Sequence, residues 1–259
     1  MFLKPLYIHK HNVNRTQAVW LQVLAFLFLA FSFGDITAQK KVSYSDQYWI
    51  QYYGQLQLSS RWSLLADGGL RMKKAVSEKA ATLGRIGIQY KLNENLSVAL
   101  GGAYFSQYIN DKISREEWRG YQELFYKHRL KRLSVSYRFR LEERYFHSLT
   151  TGKDNFNFRP RFRAYFTIPL NHMNMADKTV YLIVGDEIFM NFGDGVIYNY
   201  DQNRLISGIG YKLNNAFSIY ATYVYQYAQR SAISFEHSDI IWLGISHTIK
   251  LKKKEEVKN

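Results

Sequence analysis

The sequence predicts an all-β fold, a closed antiparallel transmembrane β-barrel of about ten to twelve strands. Three observations predict it. From Asp46 onward apolar and polar side chains alternate with a period of two; the alternation comes in segments of about ten residues with turn residues between them; and a basic, then apolar segment precedes the pattern.

Composition agrees. Aromatic residues make up 17% of the 259-residue chain, with 21 Tyr and 17 Phe against 3 Pro, a mixture suited to strands and to aromatic girdles at a membrane interface. The chain has 0 Cys, so an exported form must draw stability from a closed hydrogen-bond ladder and from burial, without disulfides. Mean hydropathy is slightly negative. That excludes a bundle of spanning helices, each of which needs about 20 apolar residues, but suits strands that alternate lipid-facing and lumen-facing side chains.

The first segment carries Lys4, Lys10 and Arg15, followed by an apolar and aromatic run over 18–33 broken only by Gln22 and Ser32. This is the layout of a secretory signal peptide, with cleavage expected between Ala38 and Gln39. The organisation is then a leader over 1–38, an outer-membrane barrel over 39–251 and a lysine-rich periplasmic tail over 252–259. Net charge is +14, and removing the leader's three cations and one anion leaves +12. Such a surplus raises the question of nucleic acid or anionic lipid; its placement, below, argues against nucleic acid.

The first strand runs over 47–58. Tyr48, Ile50, Tyr52, Leu56 and Leu58 share one face, and Gln47, Gln51, Gln55 and Gln57 share the other with Trp49 and Tyr53. After Ser59-Ser60-Arg61, Trp62, Leu64, Ala66, Leu70 and Met72 oppose Ser63, Asp67, Arg71 and Lys73, which makes a hairpin. The same reading gives strands near 80–92, 96–107, 118–130, 133–146, 156–168, 179–191, 202–213, 216–227 and 238–251, eleven in all. Bacterial single-chain barrels carry even numbers as a rule, so either one strand is missed, over 40–45, or one is split in error. Tight turns at Asn93-Glu94-Asn95, Lys131-Arg132 and Asn214-Asn215 are expected on the periplasmic side. Longer links near 74–78, 108–117, 147–155, 192–200 and 228–236 are expected outside, with 169–178 as a periplasmic excursion. One hairpin is written twice: Gly87-Ile88-Gln89-Tyr90-Lys91-Leu92-Asn93 recurs as Gly208-Ile209-Gly210-Tyr211-Lys212-Leu213-Asn214.

A secreted β-sandwich would alternate too, so the polar face decides. Leu133, Val135, Tyr137, Phe139 and Leu141 stand on one face, and Arg138, Arg140, Glu142 and Arg144 on the other. The next strand sets Arg159, Arg161 and Arg163 against Phe158, Phe162 and Phe166. The apolar face is continuous on nearly every strand, as a lipid-facing band requires, so the arginines are expected to line the lumen. There Glu123, Glu142 and Glu187 are the expected partners, because an arginine fork binds a carboxylate bidentately. Arg85, Arg129, Arg204 and Lys212 belong to the same expected lining. Pro160 inside an arginine-rich strand and Asp186 on an outward face fit poorly, and a bulge at either would shift the parity.

At these residues the sequence resembles the outer-membrane family called domain of unknown function 2490. The resemblance covers most of the chain after the leader, through Lys127-His128-Arg129-Leu130, Arg138-Phe139-Arg140-Leu141-Glu142-Glu143-Arg144, Arg159-Pro160-Arg161-Phe162-Arg163, Asp186-Glu187-Ile188-Phe189-Met190-Asn191 and Asp201-Gln202-Asn203-Arg204. It implies a small barrel of Gram-negative bacteria, especially Bacteroidota, and supplies no reaction. The family pattern has Glu where Lys127 stands, so an ion pair of the family is expected to be missing. The terminal aromatic residue common in outer-membrane barrels is replaced by the lysine-rich tail.

No constellation for catalysis emerges. Gly193-Asp194-Gly195 reads as a loop tip, and His128, His147, His172, His237 and His247 lack metal-ligand spacing. Ser148, His147 and Glu143 offer the residue types of a hydrolase triad, but closeness in sequence is not a triad. The expectation is therefore no enzyme, no metal and no cofactor. A structural or interaction role is expected, as a subunit of an envelope complex, with outer-membrane lipid and other envelope proteins as partners and no nucleic acid. The alternatives are a narrow passive channel for small anions and an outer-membrane lipid-modifying enzyme.

Overall fold

The computed structural model describes residues 41–251. The expected leader and lysine-rich tail lie outside the described residues. Every element described is a strand: β1 (Lys41–Gln57), β2 (Trp62–Lys73), β3 (Glu78–Lys91), β4 (Leu96–Ile109), β5 (Lys112–Leu130), β6 (Leu133–Ser148), β7 (Asp154–Pro169), β8 (Thr179–Met190), β9 (Tyr200–Lys212), β10 (Phe217–Gln229) and β11 (Ser234–Lys250). They form one closed barrel in chain order. Closure gives every strand a neighbour on both sides, so the ladder hydrogen bonds are made within the wall along most of its height.

Each strand runs antiparallel to the next, but β11 meets β1 in parallel, from Lys41↔Ser234 to Gln57↔Lys250. The parallel seam follows from counting: neighbours alternate in direction, so an odd number of strands brings first and last together pointing the same way. The described residues form eleven strands, and 41–45, where a missed strand was one expectation, begin β1 instead. A second consequence is that β1 starts at one mouth and β11 ends at the other.

The first mouth carries the connections 58–61, 92–95, 131–132, 170–178 and 213–216; the second carries 74–77, 110–111, 149–153, 191–199 and 230–233. The expected alternation of tight and long links is absent, most clearly at 108–117. There β4 continues to Ile109 and β5 resumes at Lys112. The turn is Asn110-Asp111, with φ of 50° and 58°, the positive values a two-residue hairpin turn needs. The repeated hairpin is repeated in atoms as well. In β3–β4 the Asn93 side chain accepts from Asn95 N and Leu96 N, both at 2.9 Å, and in β9–β10 Asn214 accepts from Ala216 N at 2.8 Å and Phe217 N at 2.9 Å.

The two faces of the wall separate as a period of two demands. Outward stand Ile50, Ile86, Leu100, Phe139, Ile209 and Leu243, with Ile86 67% and Leu100 58% exposed, a degree of apolar exposure that water does not favour around a whole molecule. Aromatic pairs flank this band. Towards the first mouth are Trp62 with Tyr90, ring centroids 4.6 Å apart, and Phe217 with His247 at 4.0 Å; towards the second are Tyr104 with Trp118 at 4.5 Å and Tyr225 with His237 at 4.1 Å.

The two residues that fitted poorly are accommodated without a parity shift. Pro160 stands where β7 leaves β8: the continuous ladder ends at Arg161↔Phe189, and beyond it only an isolated bridge, Phe158↔Phe192, remains. A missing N–H is tolerated where a ladder lapses. Asp186 does point outward, and its carboxylate accepts from Asn203 Nδ2 at 2.7 Å on the neighbouring strand.

Inside, tyrosines lie against glycines on the adjacent strand. Tyr121↔Gly101, Tyr165↔Gly185, Tyr181↔Gly210 and Tyr220↔Gly244 are register partners, and in each pair the ring occupies the space a glycine Cβ would need. Flat rings on a bare backbone thin the lumen lining without leaving a void.

Candidate functional site: the charged lumen

The strand register sets arginine beside arginine, and the carboxylates are interleaved to make that tolerable. Arg138 pairs with Arg163 and Arg140 with Arg161 across β6 and β7, while Glu142 faces Arg159, and Glu187 of β8 faces Arg163. Like charges directly opposite are unfavourable unless something of the other sign lies between.

Glu142 is the hub. Its carboxylate accepts from Arg159 Nε at 2.8 Å and Nη2 at 2.5 Å, from Arg161 Nη1 at 2.5 Å and from Arg140 Nη1 at 3.4 Å, and it is 1% exposed. Glu187 accepts from Arg138 Nη2 at 2.6 Å and Arg161 Nη2 at 2.7 Å. Glu123 accepts from Arg140 Nε at 2.7 Å, with Arg138 Nη1 3.3 Å away. Arg85 donates from Nε to Asp67 at 2.7 Å on the far wall. Short, charge-assisted and partly bidentate bonds of this kind are what keeps buried guanidinium groups ionised.

Aromatic rings supply the remaining contacts. Trp49 lies between two guanidinium groups, the Cζ of Arg71 at 4.0 Å and of Arg204 at 4.8 Å from its ring. Phe189 takes Arg161 at 4.3 Å and Arg204 at 4.6 Å, and Phe105 takes Arg119 at 3.5 Å. On the other side of the lumen Trp49, Ile206, Val224, Ile240 and Trp242 pack as one buried apolar cluster.

Two cavities enter from opposite ends and share no lining residue. The one at the second mouth measures about 710 Å³ and is lined by eleven arginines and Lys153 against Asp154, Glu187 and Asp201. The one at the first mouth measures about 340 Å³ and is lined mainly by Gln, Ser and Asn with Lys127. The Gln55–Ser63 and Gln55–Gln89 hydrogen bonds belong to the lining of the smaller cavity, whereas Tyr53, whose ring centroid is 6.3 Å from that of Tyr220, and Arg138, Arg161 and Glu187 of the ion-pair layer belong to that of the larger.

Of the residues expected to line the lumen, Arg85, Glu123, Arg138, Arg140, Glu142 and Arg144 stand on the inner face, and so do Arg159, Arg161, Arg163, Glu187 and Arg204. Arg129 and Lys212 stand at the rim of the first mouth instead: Arg129 is exposed and donates to Asn174 at 2.5 Å, and Lys212 donates to Met175 O at 2.7 Å. Both strands run past the enclosed section before those residues are reached. Sequence reading left out Glu117, whose carboxylate is fully buried and accepts from Arg119 Nε and Arg144 Nε, each at 2.5 Å. Parity counted back from the outward Trp118 would have found it, had 108–117 not been read as a loop. Ser148 lines the inner cavity, while Gln122, the donor to Glu143 at 3.2 Å, and Glu143 itself belong to the outer face, and His147 is bonded to Asp154 at 2.7 Å. The three residue types of a triad therefore do not converge. Among the described residues no group of three or more His, Asp or Glu is placed to hold a metal ion.

A family model described as protein of unknown function (DUF2490) matches residues 46–236. The chain belongs to the DUF2490 family. The match takes in β2–β10 whole and so includes every carboxylate of the DUF2490 barrel's ion-pair layer. No curated protein matches the chain.

Proposed function

We propose that this DUF2490 protein is an outer-membrane barrel with an occluded lumen, acting in a structural or interaction role at the envelope rather than in bulk transport. The observation that carries this reading is the layer of Glu123, Glu142 and Glu187 with their arginines, which ties β5, β6, β7 and β8 together along the inner wall and fills that side of the interior. A lumen braced by side chains at about eleven strands is close in size to the filled barrels and far from the aqueous ones. Location in a lipid bilayer is supported by the outward apolar band and its two aromatic girdles, and by strands of 12 to 19 residues where about 9–11 suffice to cross. Outer-membrane lipid and other envelope proteins are the partners this surface suits.

A second reading, a narrow channel for small anions, is favoured by the surplus of arginine over carboxylate in the larger cavity. Planar-bilayer recording of the purified protein separates the two. The occluded reading expects no current steps. Steps whose reversal potentials favour anions, and which shrink in Arg140→Ala or Arg161→Ala, would replace it with the channel.

A further inference from the structure

The arginines of the larger cavity fall into two sets. Arg85, Arg119, Arg138, Arg144, Arg159, Arg161 and Arg230 are held by carboxylates. Arg71, Arg115, Arg163 and Arg204 also line the lumen, yet among the described residues none has a carboxylate within 4.0 Å; their guanidinium planes rest on aromatic rings, Trp49, Phe146, Tyr165 and Phe189. Contact through the π face holds a guanidinium in place but uses none of its in-plane N–H donors. Among the described residues Arg115 Nε and Arg163 Nε are buried without a hydrogen-bond partner, and so is Oδ1 of the buried Asn157, which lines the same cavity. Arg204, 7% exposed, spends one donor on Gln226 at 2.8 Å.

We infer that this vestibule binds a small soluble polyanion, a molecule with at least two carboxylate or phosphate groups, between the Arg71–Arg204 pair and Arg115. The inference rests on the occluded lumen proposed above. A single negative charge would leave most of the surplus uncompensated, whereas paired anionic groups match the planar forks of several arginines at once. A cavity of about 710 Å³ has the size of a metabolite site. The source is solution, not lipid: the cavity opens at the second mouth, where Lys153 and Arg230 line it on the connections.

Calorimetric titration of the full protein in detergent, at constant ionic strength, tests this with citrate and pyrophosphate as probes and acetate as the monoanion control. Saturable one-site binding of at least one probe is expected, weakened more than tenfold in Arg71→Gln and unaffected in Arg61→Gln at the opposite mouth. Arg115→Gln serves if Arg71→Gln does not fold. Absence of binding beyond acetate, or equal weakening by Arg61→Gln, overturns the site. Neither result touches the occluded lumen, which only the bilayer recording can overturn.

Discussion

Glu142 carries more of this structure than its single charge suggests. Three arginines donate to one carboxylate that is almost wholly removed from solvent, so deleting the charge leaves several buried cations without compensation. Breaking a buried pair by removing one partner costs about 3–5 kcal/mol, and Glu142→Gln is expected to fall in that range. Its chain neighbour Glu143 belongs to the outer face and accepts from Gln122, so Glu143→Gln should change stability by less than about 1 kcal/mol. Urea unfolding in lipid vesicles, followed by Trp fluorescence, compares the two; equal effects would remove Glu142 from its place as hub. The identity of that hub was legible from alternation along β6. Its partners Arg159 and Arg161 were legible as a face. Which of them reached which oxygen was not, because that depends on register between strands.

At the scale of the element, strands announced themselves by period two and were misjudged only where the period fades. The second-mouth end of β5 is the instance: Lys112, Ser114 and Glu116 show no apolar alternation, and Glu116 instead accepts from the Tyr104 hydroxyl at 2.5 Å. Beyond the apolar band both faces of a strand meet water, so the pattern that betrays a strand is lost although the ladder continues. Packing between neighbouring strands is likewise a register property. Tyr181 lies on Gly210, and a Cβ there would collide with the ring. Gly210→Ala is expected to destabilise by about 1–3 kcal/mol, as overpacking does, and the loss should largely disappear in Gly210→Ala with Tyr181→Ser. A double-mutant cycle measures the coupling; additive effects would mean that the ring does not depend on the bare backbone.

For the whole molecule the decisive question is what surrounds the wall. If lipid does, a cation placed in the middle of the outer face is penalised by about 2–4 kcal/mol. Ile86→Arg is therefore expected to destabilise the vesicle-reconstituted barrel by about that much, and Gln89→Arg, on the inner face, by far less; similar values for both would speak for water outside. Sidedness follows from the two mouths. With 0 Cys in the chain, single cysteines report without background. Ser77→Cys is expected to react with an impermeant maleimide on intact cells, and Asn215→Cys only after permeabilisation. Reaction of both on intact cells would contradict a barrel that spans the outer membrane.

The sequence by itself determined the all-β class, a strand count of ten to twelve, the face on which arginine collects and the repeated hairpin, because each is encoded within a window of a dozen residues. Tertiary structure alone decided that β1 and β11 meet in parallel, that Glu117 closes over Arg119 and Arg144, and that Arg71 and Arg204 share Trp49 without a carboxylate. Those outcomes depend on closure of the ring and on the register it imposes, which bring together side chains separated by most of the chain and leave no local trace in the order of residues.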